Sequence, residues 1–536
     1  MDHMIKGTVF DGKRRLSLDV PSGVTALEAL RKAGLSVYSP CGGNGTCGKC
    51  RARISGNVSP MNEKEATILS DAEKRRGIRL SCMCRLIGDF SIDVQTEALA
   101  VQMEAHCVPY TFLPMIVADE GKQSLGLAAD IGTTTVACYL CDMRSGKILG
   151  KRGFPNPQSS YGADVISRID KIMKRKEALF EQQRLVAKAI ADAASDMCME
   201  YGFSEEDIRA AVFCGNTVMQ HIAAAIDPCS IANAPFTAPT LFGEYYDAYA
   251  LGFLKNPDAK VYFAPCFASY VGGDIACGMI ASGLDTPKDN VLYIDVGTNG
   301  EIGLSARDGL YFCSAAAGPA FEGAHIACGM AGTKGAVSEI FLEDGALRYR
   351  TVDDAPAVGI CGSGIIDAVS VMLDMGLLDE TGRIAEKDEA FAFASYIDED
   401  EDGEPVFMID KEKNIFLCGR DIREIQLAKA AICAGVDTLL HEANITREEI
   451  SSVVIAGGFG SHLRAASICR IGMIPPIDEK KISFAGNAAG MGAVAILLGK
   501  EPRASAETIC GKSFYTELSK NAYFMEKYIE EMMFSE

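Results

Sequence analysis

The 536-residue sequence predicts a small α+β domain at the N-terminus, followed by a large α/β region of two similar lobes. Three observations carry this expectation. A glycine-rich segment near the start holds three closely spaced cysteines, and a fourth follows at a distance. Beyond residue 125, two apolar strands each run into Asp-x-Gly-Thr, and each is followed later by a strand, a small turn and a helix. The composition, 48% hydrophobic and 23% charged, belongs to a globular chain with enough length for several cores.

Charge separates the two parts. Residues 1–97 hold 15 Lys/Arg and 11 Asp/Glu, whereas the whole chain is at −20. Such asymmetry fits a separate N-terminal domain over 1–97, and the acidic total argues against nucleic acid as a partner. No stretch has 18 successive apolar residues, so no membrane span is expected, and the start has no secretory pattern. The 20 cysteines are scattered through apolar strings, which fits buried thiols in a reducing, cytoplasmic setting.

In the first domain, two strand-like runs flank a turn at Asp11 and Gly12. Thr25, with Glu28 three residues on, predicts the start of a helix. Cys41, Cys47 and Cys50 then form C-x5-C-x2-C around Gly42, Gly43, Gly45 and Gly48, and Cys82 follows after 31 intervening residues. Three close thiolates and one distant one suit a 2Fe–2S cluster, because two irons need four sulfurs converging on a small volume. Glycines let the loop wrap tightly and leave N–H groups free for the cluster sulfurs. A tetrahedral zinc site uses the same ligand type, but zinc ribbons usually have two C-x2-C pairs. Cys84 competes with Cys82 for the fourth position. These residues resemble the plant-type and adrenodoxin-type ferredoxins over about residues 4–97, with the longer gap of the adrenodoxin-like branch. The resemblance implies a β-grasp fold, and its Cys-x-x-Arg pattern at Cys82 and Arg85 favours Cys82.

Residues 98–124 lack a clear period and read as a linker or an extended crossing segment; His106 and Cys107 within it are expected to be structural. From 125 on, LGLAADIGTTTVACYLCD and VLYIDVGTNGEIGLS look alike, as do AAVFCGNTVMQHIAAA and SVVIAGGFGSHLRAA. The order is hairpin, strand–turn–helix, twice, which indicates an internal duplication. A middle region is expected over 125–208 and a C-terminal region over 209–536.

The duplicated pattern points to a nucleotide. Asp130 and Asp295 each end an apolar strand, where a carboxylate can face a cleft and hold Mg2+. Gly132 and Gly297 allow tight turns whose N–H groups can face phosphate, and Thr133, Thr134, Thr135, Thr298 and Asn299 add donors. Gly457, Gly458 and Gly460 form a turn without side-chain bulk, as close approach to a nucleoside requires. Glu301 and Glu322 are candidate carboxylates beside these turns. The sequence contains no P-loop, GxSxG or HExxH. Cys138 and Cys141 have odd spacing on a strand, so they should face opposite ways. DEDEDGEP at 398–405 reads as a solvated loop, and the glycine-rich stretches 314–330 and 359–369 as cleft lining or close packing.

The arrangement resembles the actin, sugar kinase and heat-shock chaperone superfamily. That implies two ribonuclease-H-like lobes with ATP between them. On this resemblance 130–135 is the first phosphate loop, 295–299 the second and 455–460 the adenosine turn. Residues 214–217 and 485–492 correspond to the segments where the lobes connect.

A ferredoxin domain fused to an ATP-driven two-lobe engine resembles, over nearly the whole chain, the reductive activators of corrinoid-dependent enzymes. The stretches at 156–169, 269–279 and 420–435 also look like that family's. The resemblance implies ATP-dependent transfer of a low-potential electron to a corrinoid protein, taking cobalt(II) to cobalt(I). It also implies an upstream electron donor, an anaerobic cytoplasm and, by the family's habit, a homodimer. Alternatives are an electron donor to another enzyme, such as a 2-hydroxyacyl-CoA dehydratase, and a nucleotide-gated redox-sensing protein.

Overall fold

The computed structural model describes residues 3–10, 15–33, 50–94, 103–116, 123–286, 289–297, 299–458 and 463–534, with single positions between 35 and 48. The first domain is a mixed five-stranded sheet. Its strands are β1 (Met4–Phe10), β2 (Arg15–Pro21), β3 (Arg51–Val58), β4 (Ile78–Leu80) and β5 (Leu86–Asp93), in the order β2–β1–β5–β3–β4. β1 and β5 are parallel, and the other pairs are antiparallel. Helix α1 (Ala26–Lys32) buries Ala26, Leu27, Ala29 and Leu30 against the sheet. Its start is the expected capping box: Thr25 Oγ1 accepts from the Glu28 N–H, and Glu28 Oε2 accepts from the Thr25 N–H.

The duplication is visible as two sheets of like topology. In the first lobe, β6 (Leu125–Ile131), β7 (Thr135–Asp142) and β8 (Ile148–Pro155) form an antiparallel meander. β9 (Ile208–Gly215) joins β6 in parallel, and β11 (Lys260–Phe263) joins β9 in parallel, with β10 (Glu244–Asp247) outside it. In the second lobe, β12 (Val291–Val296), β13 (Gly300–Ala306) and β14 (Gly309–Ala315) form the meander. Beside β12 lie β15 (Ser452–Ala456) and β16 (Ile482–Gly486), both parallel. Because β9 is paired with β6, the border expected at 208/209 falls inside one sheet. The first lobe runs on through β11 to a helix at Gly273–Ala281.

Alternating residues send apolar side chains to both faces of each sheet. Cys138 packs in the outer core of the first lobe and Cys141 in the layer between the lobes, on opposite faces as their spacing requires. The inter-lobe layer is built around α5 (Gly273–Ala281) and α8 (Ala488–Leu498), with Tyr139 of one sheet and Tyr293 and Phe312 of the other. A Cβ on Gly492 would lie 2.0 Å from the Cys277 carbonyl oxygen, so the two helices cross at backbone contact. Between α1 and α5 the chain has helices α2 (Val165–Lys174), α3 (Glu177–Tyr201) and α4 (Thr217–Ala223). Between α5 and α8 come α6 (Gly362–Asp374) and α7 (Gly419–Glu442).

Residues 214–217 end β9 and cap α4; Cys214 Sγ donates to Ala489 O of α8 at 3.4 Å, so they lie at the junction of the lobes without themselves crossing it. The crossing element on that side is α5, whose apolar composition and Gly–Gly start hid its role. The segment 103–116 is a strap along the crossing helices. The Val108 N–H donates to Ala281 O, and the N–H groups of Leu113 and Met115 donate to Leu498 O and Leu497 O, each at 2.9 Å. In the stretch 359–369, a Cβ on Gly364 would meet Val337 O at 2.3 Å, which identifies close packing. Asp398 and Glu399 end a strand, and Asp400 to Glu404 form the largely exposed turn to its antiparallel partner.

Candidate functional site

Two places gather chemistry. The first is at the edge of the small domain. Cys50 enters β3 fully buried, and Cys82 sits in the turn after β4. Their sulfurs are 3.3 Å apart. That is too far for a disulfide and near enough for two thiolates turned to one point. The turn is held from beneath. Ser81 donates through both its N–H and its hydroxyl to Cys50 O at 2.8 Å. Buried Glu65 takes Arg79 in a two-pronged pair at 2.8 Å and accepts from the Leu80 N–H at 2.7 Å. Nothing in the sequence marked Glu65 or Arg79, since a helix acid and a strand base 14 residues apart carry no motif.

Cys84 behaves differently. It is fully buried in the apolar core, and burial pushes its thiol up to about 11. The geometry therefore brings Cys82, and not Cys84, to Cys50. Cys41 and Cys47 lie outside the described residues. Gly43 and Gly45 between them and Gly48 just after have φ of +95°, +71° and +64°, which only glycine adopts freely. A Cβ on Gly43 would stand 3.9 Å from the Cys82 Cβ, so the loop approaches Cys82 as the spacing predicts. Two converging thiols under a left-handed glycine loop fit a 2Fe–2S cluster.

The second place is the cleft between the lobes. Register puts the two repeats in equivalent positions: Asp130 lies opposite Cys214 of β9, and Asp295 opposite Ala456 of β15. Across β13, Asp295 also faces Glu301. Asp274, in the first turn of α5, is the fourth acid. All four keep partial exposure and yet are strongly desolvated. Burial, then the charge of Asp295, pushes Asp130 up to about 7, against hydrogen bonds from Asn487 and Cys214. Burial lifts Asp295 to about 6. Asp274 is raised by burial, then by Asp295 and Asp130; Glu301 by burial, then by Asp274 and Asp295. Four desolvated acids that resist sharing their charge face the cleft, and a cation brought in with a ligand would relieve their repulsion.

The turns fit a ligand's approach. A Cβ on Gly457, whose φ is +93°, would strike Asp295 Oδ1 at 2.6 Å, so this turn must be bare for the second-lobe acid to face the cleft. Gly458 follows it, while Gly460 and Thr298 lie outside the described residues. The Gly297 N–H closes on Asn299 O at 3.0 Å, and the Asn299 side chain bonds to Glu301. In the first lobe, Gly132, Thr133 and Thr134 form the turn and Thr135 begins β7. Asn216, which caps α4, donates to Thr133 Oγ1 at 2.9 Å. Glu322 ends a 3-10 turn at Pro319–Glu322. Asp274 escaped the sequence reading because its stretch, SYVGGDIACGM, has no Asp-x-Gly-Thr. The available signal was an acid just after a Gly–Gly pair opening an apolar helix.

A family model for the 2Fe–2S iron-sulfur cluster binding domain matches residues 9–86. The RACo middle region matches 125–287, and the C-terminal domain of RACo, described as the ASKHA domain, matches 289–536. A corrinoid activation enzyme, RamQ, of Eubacterium limosum is 33% identical over 431 residues, covering 78% of this chain and 72% of that protein. A [Co(II) methylated amine-specific corrinoid protein] reductase of Methanosarcina barkeri is 23% identical, over 69% of this chain and 70% of its own. Among solved structures, a reductive activator for corrinoid, iron-sulfur protein superposes with a TM-score of 0.69 at 30% identity, covering 99% of this chain and 98% of that one.

Proposed function

The chain belongs to the family of corrinoid reductive activators, and from that membership we propose that it uses ATP to deliver a low-potential electron to a corrinoid protein, converting cobalt(II) to cobalt(I). The observation that carries the reading is the presence in one chain of converging thiols, Cys50 and Cys82, and an acid-lined cleft, Asp130, Asp274, Asp295 and Glu301. A 2Fe–2S cluster supplies one-electron transfer when bound. Cys41, Cys47, Cys50 and Cys82 are its ligands in this reading, and the Glu65–Arg79 pair keeps the Cys82 turn in place.

In the cleft, residues 130–135 and 295–299 receive the phosphates and 455–460 the adenosine. The four acids present oxygens to Mg2+, and Glu301 or Asp274 orients the attacking water. Burial raises all four carboxyl groups, and an entering cation would favour their ionised forms, which suits a metal-bound nucleotide. A binding step can shift a redox equilibrium only by the difference in affinity between oxidation states. About 30 mV for one electron corresponds to about 0.7 kcal/mol, which puts a gap of a few hundred millivolts within reach of nucleotide hydrolysis. The partner is a methyl-transferring corrinoid protein, the electron comes from an external low-potential donor, and the setting is an anaerobic cytoplasm. Among the described residues no helix is long and apolar enough to cross a membrane.

The test is ATP hydrolysis by anaerobically purified, cluster-loaded protein, with and without a cobalt(II) corrinoid protein, while the corrin absorbance is followed. Partner-stimulated hydrolysis together with the cobalt(I) spectrum is expected. Equal reduction with ATP omitted would sink the proposal.

A further inference from the structure

The turn between β6 and β7 has three successive carbonyls taken from one side. Asn156 Nδ2 donates to Gly132 O at 2.7 Å, Arg168 Nη2 to Thr133 O at 2.5 Å, and the Asn156 N–H to Thr134 O at 2.8 Å. In a trans peptide, each carbonyl points opposite to the N–H of the next residue. The N–H groups of Thr133, Thr134 and Thr135 are therefore all turned away from these donors. A row of N–H groups facing one way is the structure that receives phosphate oxygens.

Arg168 is an unusual choice for such a holder. It lies in α2, completely buried, and is among the largest fully buried side chains of the molecule. Its other hydrogen bonds go to Gly162 O at 3.0 Å and Gln158 Oε1 at 3.3 Å, with Met219 Sδ beside it. Every one of these partners is neutral. Asp164 acts on it only through its field, because the Asp164 carboxylate is bonded to the N–H and hydroxyl of Ser167. Burial pulls the guanidinium down to about 9, a sign of how little compensates its charge. A carbonyl can be held by a neutral amide, as Asn156 does for Gly132. Among the described residues no carboxylate touches this buried cation, and a buried charge of that kind calls for an anion that arrives from elsewhere.

We propose that Arg168 is a positioning residue of the nucleotide site: it turns the N–H row of the first phosphate loop toward the polyphosphate, and its buried charge is compensated when that polyphosphate binds. This rests on reading residues 130–135 as a phosphate loop. The role differs from that of an arginine touching phosphate directly, since the guanidinium stands behind the loop and acts through the Thr133 peptide.

The experiment compares full-length, cluster-loaded wild type with Arg168→Met and Arg168→Lys. It measures MgADP affinity by calorimetry, and the melting temperature with and without MgADP. For Arg168→Met, affinity should fall by about tenfold or more, as loss of a charge-assisted contact would give. Its nucleotide-free melting temperature should hold or rise, because an uncompensated buried charge has gone, while the rise caused by MgADP shrinks. Arg168→Lys, which keeps the charge but not the forked donors, should recover part of the affinity. A holder with a purely structural role gives the reverse pattern: a lower nucleotide-free melting temperature and unchanged affinity, which overturns the proposal. Should Arg168→Met fail to fold, Arg168→Lys decides, and an affinity equal to wild type overturns it. If wild type itself binds no MgADP, the nucleotide reading of the cleft is what fails.

Discussion

At the scale of single residues, the difference between Cys82 and Cys84 is one of surroundings. Two residues apart in a turn, one thiol meets Cys50 at 3.3 Å and the other is sealed in the core. Cys82→Ser is expected to abolish the cluster's visible absorbance and its reduced-state electron paramagnetic signal. Cys84→Ala should leave both spectra intact, at a cost of about 1 kcal/mol in stability for a lost buried group. The opposite pattern would mean that the turn rearranges around the metal. The acids of the cleft make a second residue-scale prediction. Asp130 and Asp295 have folded values raised above the unfolded one, so the native state holds protons that the unfolded chain releases. Stability without nucleotide or divalent cation is then greatest at low pH and is lost as pH climbs through about 6 and 7. Melting curves between pH 5 and pH 8 should show this fall, and the double variant Asp130→Asn, Asp295→Asn should flatten it. A slope identical in wild type and variant would assign the pH dependence to other groups.

At the scale of elements, the crossing of α5 and α8 is set by what is missing. Gly492 has no Cβ, and one placed there would stand 2.0 Å from the Cys277 carbonyl oxygen. Alanine is intrinsically a better helix former by about 1 kcal/mol, so local propensity predicts that Gly492→Ala stabilises. The crossing predicts the contrary, a loss of about 1–3 kcal/mol from forced separation of the helices. Thermal unfolding decides the sign, and a higher melting temperature in the variant would show that the helices can part freely. The strap 103–116 bonds to the ends of both helices, so a change in their crossing reaches the chain leading to the ferredoxin domain. Both devices escaped the sequence for the same reason. Glycines in an apolar helix and an aperiodic stretch acquire meaning only from what lies against them.

At the scale of the whole molecule, the small domain is seated on the first lobe through its own helix. The Arg31 guanidinium of α1 lies 4.9 Å from the centre of the Tyr161 ring. Tyr161 donates its hydroxyl to Glu181 at 2.7 Å, and Arg175 pairs with the same carboxylate. A partly desolvated cation over an aromatic face contributes about 1–2 kcal/mol. On the other side, a Cβ on Gly43 would lie 3.8 Å from Arg31 Nη2, so this residue stands between the cysteine loop and the lobe. Arg31→Ala is expected to speed amide exchange in α1 and around Tyr161 while the cluster spectra stay unchanged. Unaltered exchange would show that other contacts carry the seat. Tyr161 also lies between Asn156 and Arg168, in the stretch that holds the turn at residues 132–134.

What the sequence determined by itself was whatever repeats at fixed spacing. The spacing of the cysteines pointed to the cluster type, because loop length is a property of the chain; of the four, the described residues bring Cys50 and Cys82 together. The two Asp-x-Gly-Thr strands pointed to a duplicated two-lobe fold, because two near-continuous apolar runs ending alike call for two sheets covered on both faces. The tertiary structure alone decided how the pieces meet. Asp274 joins Asp130 and Asp295 from a helix with no matching motif, and α5, not residues 214–217, crosses between the lobes. Arg168 reaches the Thr133 carbonyl across 35 positions of sequence. The physical reason is common to all three: desolvation, charge coupling and backbone contact depend on distance in space, and spacing along the chain constrains that distance only within a single element.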